Sequence, residues 1–156
     1  MVRIKIARIF FDRKDMLDRI DAATKRVFSR FGAYTRRTAR QSIRKRKKAS
    51  KPGKPPSSHE GLLKRFIFFG YDRRQRSVVI GPEKLSGPVS DTALEALEYG
   101  GRSRTSDYVW TAGRRRKKVF RNVKIDARPF MGPAFEKEKP KLDGLWHNSV
   151  TSTLRR

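Results

Sequence analysis

The chain is organised around residues 16–43, MLDRIDAATKRVFSRFGAYTRRTARQSI. Its apolar and small residues recur at spacings of three and four, as they do along one face of an α-helix. This face comprises Met16, Leu17, Ile20, Ala23, Val27, Phe31, Tyr34, Thr38 and Ile43. Asp12 can cap the helix, and Asp15 lies in the first turn, where a carboxylate favours the helix dipole. We therefore expect one long amphipathic helix, in which Gly32 marks a bend or a close contact.

Strand patterns lie on both sides of this helix. Residues 2–11, VRIKIARIFF, alternate apolar with mainly charged residues, which predicts a strand with one face in water. Residues 62–72 and 77–82 predict the two strands of a β-hairpin joined by a charged turn. Residues 118–125, KVFRNVKI, alternate again and predict a further strand.

Two shorter helices are predicted toward the C-terminus. Residues 90–99 carry apolar side chains at helical spacing, and Gly100 suits the left-handed position that follows many helices. A terminal helix is expected over 134–146, weakened by Pro140 and Gly144.

The stretch 127–136, ARPFMGPAFE, precedes the terminal helix and predicts a rigid corner. Pro129 fixes the backbone, while Phe130 and Met131 are expected to fill the core. The Gly-Pro pair 132–133 should begin the last helix, because proline is tolerated in a first turn.

Two basic segments complete the chain. Residues 44–60 are rich in Pro, Gly, Ser and Lys and predict a flexible loop. Residues 102–118 predict a second flexible basic loop, with room for a short strand at 108–110. The expected architecture is a single α+β domain over residues 1–148, with a C-terminal tail at 149–156. A small, mainly antiparallel sheet is packed by one long N-terminal helix and shorter helices.

The charge balance restricts the class of partner. The chain carries 40 Lys and Arg against 15 Asp and Glu, for a formal net charge of +25. Such a field attracts polyanions, so nucleic acid and acidic protein neighbours are both open. The absence of cysteine excludes a disulfide framework and a cysteine zinc site, and it fits a reducing cytoplasm. We expect no signal peptide and no membrane-spanning segment, because no apolar run is long enough.

Two clusters of cations are candidates for contact with phosphates or with an acidic partner. Unpatterned clusters of this kind suit contact without sequence specificity. They are Arg36, Arg37, Arg40, Arg44, Lys45, Arg46, Lys47 and Lys48 at the end of the long helix, and Arg114, Arg115, Arg116, Lys117 and Lys118 in the second loop. Tyr108 and Trp110 could stack on bases beside the second cluster, although their alternation with Val109 equally suits a strand. A non-specific nucleic-acid-binding protein is therefore one hypothesis for the whole chain.

The residues carry no enzymatic signature. His59 and His147 are the two histidines, whereas a catalytic triad or a metal site needs several such groups together. Asp91, Glu95 and Glu98 share one face of the short predicted helix and could hold a divalent cation. With this excess of arginine they favour salt bridges to basic partners instead. We expect no catalytic residue, no metal and no cofactor.

Three segments, taken in order, resemble the tail-completion and neck protein family of long-tailed bacteriophages, also described as head–tail joining or minor tail components. They are 57–82, SSHEGLLKRFIFFGYDRRQRSVVIGP; 93–101, ALEALEYGG; and 126–138, DARPFMGPAFEKE. The matching motifs are Gly61-Leu62, Val79–Pro82, Glu98-Tyr99-Gly100 and Ala127–Ala134. With the preceding helix and loop, the resemblance covers roughly residues 10–146.

The resemblance implies a non-enzymatic α+β subunit of a ring, commonly hexameric with a dodecamer as the alternative, in the virion neck. Its partners would be other copies of itself, the neighbouring neck, connector and tail-tube proteins, and the packaged DNA, with no membrane. The chain would be made in the host bacterial cytoplasm. Residues expected in the core or the subunit contact are Phe66, Phe68, Phe69, Glu98, Tyr99, Arg128, Pro129, Phe130 and Met131.

The net charge of +25 departs from what this resemblance implies, because a strongly cationic wall would hinder DNA passing through the ring. Either the two basic segments face outward or toward acidic neighbouring rings, or this chain touches the packaged DNA end.

Overall fold

The computed structural model describes residues 13–83, 90–110 and 116–154, and it shows an α+β fold as predicted. The elements in chain order are α1 (Arg13–Ser42), β1 (Arg44–Lys45), β2 (Ser57–Ser58), α2 (Leu62–Arg65), β3 (Ile67–Asp72), β4 (Ser77–Pro82), α3 (Ser90–Tyr99), β5 (Gly101–Trp110), β6 (Arg116–Ile125), α4 (Met131–Glu138) and α5 (Leu142–Leu154). A single 3₁₀ turn, Lys139–Lys141, joins α4 to α5. The strand expected at 2–11 and the cap expected at Asp12 lie outside the described residues.

Helix α1 is the centre of the fold. Its predicted apolar face is confirmed from Ala23 onward, whereas Met16, Leu17 and Ile20 are exposed. Its buried face comprises Ala23, Thr24, Val27, Phe31, Gly32, Thr35 and Ala39. The β3–β4 hairpin, α4 and α5 all pack against this helix. Because three units share one helical face, residues far apart in the sequence meet there.

The main hydrophobic cluster joins α1 to the hairpin and to α4. It consists of Ala39, Ile43, Ile67, Phe130 and Ala134. Phe130 is only 2% exposed, and burial of such a side chain contributes about 1.5–3 kcal/mol. Nearby, the rings of Phe31 and Phe135 meet edge to face at 5.5 Å. The expectation that Phe130 fills the core is confirmed.

Gly32 marks a close contact. A Cβ added there would lie 2.7 Å from Cδ2 of Phe69 and 2.9 Å from Cγ2 of Val78. These side chains belong to paired strands of the hairpin and face α1. The glycine therefore lets the sheet approach the helix backbone directly.

The strands of the described residues form three separate pairs rather than one small sheet. β3–β4 and β5–β6 are antiparallel, and the two-residue strands β1 and β2 are parallel. The hairpin predicted at 62–82 is confirmed from Ile67 onward. Its first residues were predicted wrongly, because Leu62–Arg65 forms a helical turn that follows Gly61 in the left-handed region, with φ of 82°.

The two segments expected as flexible loops contain paired strands. Segment 44–60 contains β1 and β2, and Pro56 is buried. The prediction of a loop over 102–118 is wrong for most of its length. Residues 101–110 and 116–125 pair along their whole length as β5 and β6, which we call the ribbon. The strand predicted at 118–125 is confirmed as most of β6. Most of β5 was missed because Ser and Thr alternate with arginine along its first half, without an apolar pattern.

The C-terminal boundaries also differ from the prediction. The terminal helix expected at 134–146 is two helices, α4 and α5, with Pro140 in the turn between them. The tail expected at 149–156 is helical to Leu154, and Ser149 is buried, with its hydroxyl donating to the carbonyl of Ala23 over 3.4 Å. The chain therefore packs as one unit beyond residue 148.

Candidate functional site

Two of the three segments that carry the family resemblance, 93–101 and 126–138, meet at one point, which we call the junction. The Glu98 carboxylate at the end of α3 accepts hydrogen bonds from the backbone N–H groups of Phe130 at 3.0 Å, Met131 at 3.2 Å and Gly132 at 2.8 Å. These are the first amides of α4, which have no partner within the helix. Glu98 therefore caps α4 from a distant element, and its negative charge favours the helix dipole.

Backbone contacts reinforce the junction on the other side of Glu98. The amide of Arg128 donates to the carbonyl of Leu97 at 2.7 Å. Gly100 has a φ of 82°, and a Cβ added there would lie 3.3 Å from the amide nitrogen of Ala127. Gly100 was predicted to end the helix in the left-handed position, and this is confirmed. The residues 97–100 and 127–132 thus form one continuous packing unit.

The proline-containing segment is tied to the same place. Arg128 donates from Nε to the carbonyl of Ser50 at 2.9 Å and from a terminal nitrogen to the carbonyl of Asp126 at 3.2 Å. The amide of Gly53 donates to the carbonyl of Ala127 at 2.8 Å. Arg128 is therefore a structural residue that holds segment 44–60 on the junction.

The other residues expected in the core or the subunit contact divide between the interior and the surface. Met131 packs against the main cluster, and Pro129 and Phe69 are half-buried. Phe66 is half-buried in an apolar groove with Leu63, Pro82 and Leu97.

Three apolar or aromatic side chains of this region remain in solvent. Phe68 is 46% exposed, Val79 67% and Tyr99 80%. Phe68 and Val79 lie on the face of the hairpin opposite α1, because Ile67 and Phe69 alternate with Phe68. These residues are available to a neighbouring chain.

The cation cluster at the end of α1 is not uniform. Arg36 is half-buried, donates from Nε to the carbonyl of Ile67 at 2.7 Å and lies over the ring of Phe68 at 5.7 Å. Arg36 therefore links α1 to the hairpin, while its expected contact with phosphate or an acidic partner stays a prediction. Arg37 is exposed and lies 5.9 Å from the ring of Tyr34, whereas Arg40 is half-buried. The five cations of 44–48 are all exposed.

The second cluster is divided between the two faces of the ribbon. Arg116, Lys117 and Lys118 begin β6, while Arg114 and Arg115 lie outside the described residues. Because side chains alternate along a strand, positions 116 and 118 share one face and 117 lies on the other. Sequence reasoning missed four further cations on the ribbon. They are Arg102, Arg104, Arg121 and Lys124.

A buried carboxylate was also missed by sequence reasoning. Glu138 is 3% exposed, although it belongs to the charged stretch EKEK. It accepts hydrogen bonds from the Thr38 hydroxyl and from the Lys141 ammonium, each at 2.6 Å. The Lys141 hydrogen bond and then the Thr38 hydrogen bond hold the pKa of Glu138 below its ordinary value of 4.5, against the opposing effect of burial. No sequence spacing signals this contact between α1 and α4.

The residues weighed for chemistry do not converge. His59 and His147 are exposed, Glu95 is exposed on α3, and Glu98 is engaged at the junction. The side chain of Asp91 lies outside what the structure describes. Within residues 13–83, 90–110 and 116–154, no group of acidic or histidine side chains could hold a metal ion. Over the same ranges, no helix is long and apolar enough to cross a membrane.

Comparison of the chain with protein-family models, with curated proteins and with solved structures gives no match.

Proposed function

We propose that this chain is a non-enzymatic virion structural protein, a ring-forming subunit of the neck of a long-tailed bacteriophage that completes the tail or joins it to the head connector. The junction carries the proposal. The Glu-Tyr-Gly motif and the Ala127–Ala134 motif resemble that family separately, and here they are joined through the hydrogen bonds of Glu98. Motifs that act together in one packing unit are stronger support than motifs scattered over the surface.

The exposed apolar side chains support an interaction with neighbouring chains. Phe68 and Val79 form an apolar area on the outer face of the hairpin, and Tyr99 projects beside the junction. Exposing such an apolar surface to water costs free energy, and this free energy is recovered when a partner covers the surface. Tyrosine and phenylalanine are enriched at the centres of protein interfaces.

The experiment is a measurement of the assembly state of the purified chain over a wide range of concentration, by mass photometry and negative-stain microscopy. Closed rings are expected, alone or after mixing with neck, connector and tail-tube proteins of a long-tailed phage. A strict monomer under all these conditions would contradict the proposal.

A pair of variants tests whether the hairpin face makes the contact. Val79→Asp places a charge on this face and should weaken the ring, because an unpaired carboxylate would be buried on assembly. Gln75→Asp adds the same charge in the exposed turn of the same hairpin and should leave the ring intact. Thermal unfolding of both variants confirms that any difference arises in assembly and not in folding.

The alternative function is a non-specific nucleic-acid-binding protein. The exposed cations of 44–48 and of the ribbon favour it, whereas the engagement of Arg36 with Ile67 argues against the whole end of α1 acting as a phosphate surface. The two functions are compatible, since a neck subunit can also touch the packaged DNA.

A further inference from the structure

The ribbon has two chemically different faces. One face turns toward α3, where Ser103 is buried and its hydroxyl lies 3.5 Å from that of Thr92. The opposite face consists of the even-numbered residues of 102–110 and 116–124, since directly paired residues share a face. We call this the outer face of the ribbon. This face is rich in cations, unlike a face that packs on a hydrophobic core.

Half of the ten positions on the outer face are cations. These are Arg102, Arg104, Arg116, Lys118 and Lys124, and none of the ten is acidic. A row of cations of this density raises the local concentration of polyanions.

Aromatic rings lie among these cations. The guanidinium of Arg104 sits 4.3 Å from the ring centroid of Phe120, and the ammonium of Lys118 lies 5.3 Å from the same ring. Tyr108 is directly opposite Lys118 in the register and is 64% exposed. The cation–π contact holds the Arg104 side chain against the ribbon, so less entropy is lost when its guanidinium meets an anion.

We propose that the outer face of the ribbon is a DNA-binding surface that contacts the phosphate backbone without reading sequence. Guanidinium and ammonium groups bind the phosphates of a duplex, and the Phe120 ring holds the Arg104 guanidinium in place for that contact. The run of cations along one face without an acidic position suits the regular phosphates of DNA, and an acidic protein partner is an outcome of the test below. A strand of ten residues also extends for about 33 Å, close to one turn of duplex DNA.

This inference goes beyond the neck function, because a ring can assemble without any contact to DNA. It also relocates the binding surface that the sequence indicated. Positions 116 and 118 belong to the outer face, Lys117 does not, and Arg102, Arg104 and Lys124 join from residues outside the cluster predicted from the sequence.

The test is the binding of a fluorescent duplex of random sequence to the full chain, followed by anisotropy over a range of salt concentrations. Arg102→Ala/Arg104→Ala removes two cations from the outer face. We expect its affinity to fall about 10- to 100-fold at about 50 mM salt, and the slope of log affinity against log salt to decrease by about two.

The matched control lies on the same ribbon. Lys117→Ala/Arg121→Ala also removes two exposed cations, but from the face that turns toward α3. This variant should stay within about three-fold of the unmodified chain, because long-range attraction alone is weak under screening. Equal losses in the two double variants would overturn the proposal, since charge alone and not a specific face would then explain binding.

Two further outcomes would also overturn it. One is the absence of binding up to about 10 µM protein at about 50 mM salt. The other is displacement of the duplex by polyglutamate as effectively as by unlabelled DNA at equal anion concentration, which would indicate a surface for acidic proteins. The assembly state of the Arg102→Ala/Arg104→Ala variant is measured in parallel. Loss of DNA binding with unchanged assembly separates this inference from the neck function.

Discussion

Glu98 and Phe130 are joined by a hydrogen bond of 3.0 Å from the Phe130 amide to the Glu98 carboxylate, and this bond links the end of α3 to the start of α4. The same carboxylate accepts hydrogen bonds from the backbone amides of Met131 and Gly132. One side chain therefore holds the corner in which Phe130 enters the core. The capping residue lies 32 positions from the helix that it caps.

Replacement of Glu98 by Gln should destabilise the fold by about 1–2 kcal/mol. The amide retains one acceptor oxygen, so its NH₂ group would face an amide of α4 that now lacks an acceptor. Glu95→Gln on the same helix is the control, because Glu95 is exposed and its change should cost less than about 0.5 kcal/mol. Urea unfolding followed by circular dichroism measures both. Equal stability of the two variants would mean that the cap contributes nothing.

Gly32 and Gly144 should respond to alanine in opposite directions, although both lie in helices. Gly32→Ala should destabilise by about 1–3 kcal/mol, because the new methyl group would collide with Phe69 and Val78. Gly144→Ala meets nothing within 4 Å and should stabilise by up to about 1 kcal/mol through helix propensity. Thermal unfolding of both variants checks the sign. A stabilised Gly32→Ala variant would show that the hairpin can move away from α1.

Glu138 should make stability depend on pH in the acidic range. Its pKa in the folded chain is lowered below 4.5 by the Lys141 and Thr38 hydrogen bonds. The unfolded chain therefore binds the proton more tightly, and the stabilisation is fully present above about pH 4.5 and is lost as the pH falls through the lower folded pKa.

The measurement is the free energy of unfolding of the unmodified chain and of Glu138→Gln between neutral and acidic pH. The difference between them should shrink as the pH falls, because protonated Glu138 resembles the amide. Glu136→Gln is the control, since this carboxylate is exposed and 3.8 Å from Lys139. A difference for Glu138→Gln that stays constant with pH would contradict the role of its charge.

Arg36 and Arg37 are neighbours in the sequence with different expected effects. Arg36→Ala removes the hydrogen bond to the Ile67 carbonyl and should destabilise by about 1–2 kcal/mol. Arg37→Ala removes an exposed side chain and should change stability by less than about 0.5 kcal/mol. Chemical unfolding distinguishes them. If both substitutions change stability by an equally small amount, Arg36 is a surface cation like Arg37, as the sequence predicted.

The sequence predicted those features that one element determines by itself. The period of α1 follows from its apolar face, and the position of α3 follows from its apolar spacing and Gly100. The paired strands Ile67–Asp72 and Ser77–Pro82 follow from their β-branched and aromatic residues around a charged turn.

Features that depend on two distant elements could not be predicted in this way. Glu98 looked like one of three surface carboxylates, and its role depends on where α4 begins. Arg36 looked like part of a cation cluster, and its role depends on the Ile67 carbonyl. Most of β5 was mistaken for a loop because pairing with β6, and not an apolar pattern, makes residues 101–110 a strand.

The packing of α4 and α5 on α1 has a consequence for how the chain folds. The core residue Ile43 packs in one cluster with Phe130 and Ala134, which lie far along the chain. The hydrogen bond from the Ser149 hydroxyl to the Ala23 carbonyl spans 126 positions. Contacts of such separation must overcome a large loop-closure entropy before they stabilise anything. During synthesis the part of the α1 face that α4 and α5 cover therefore stays exposed until those two helices have been made. Chains cut short before α4 should be substrates for chaperones and proteases rather than smaller folded domains.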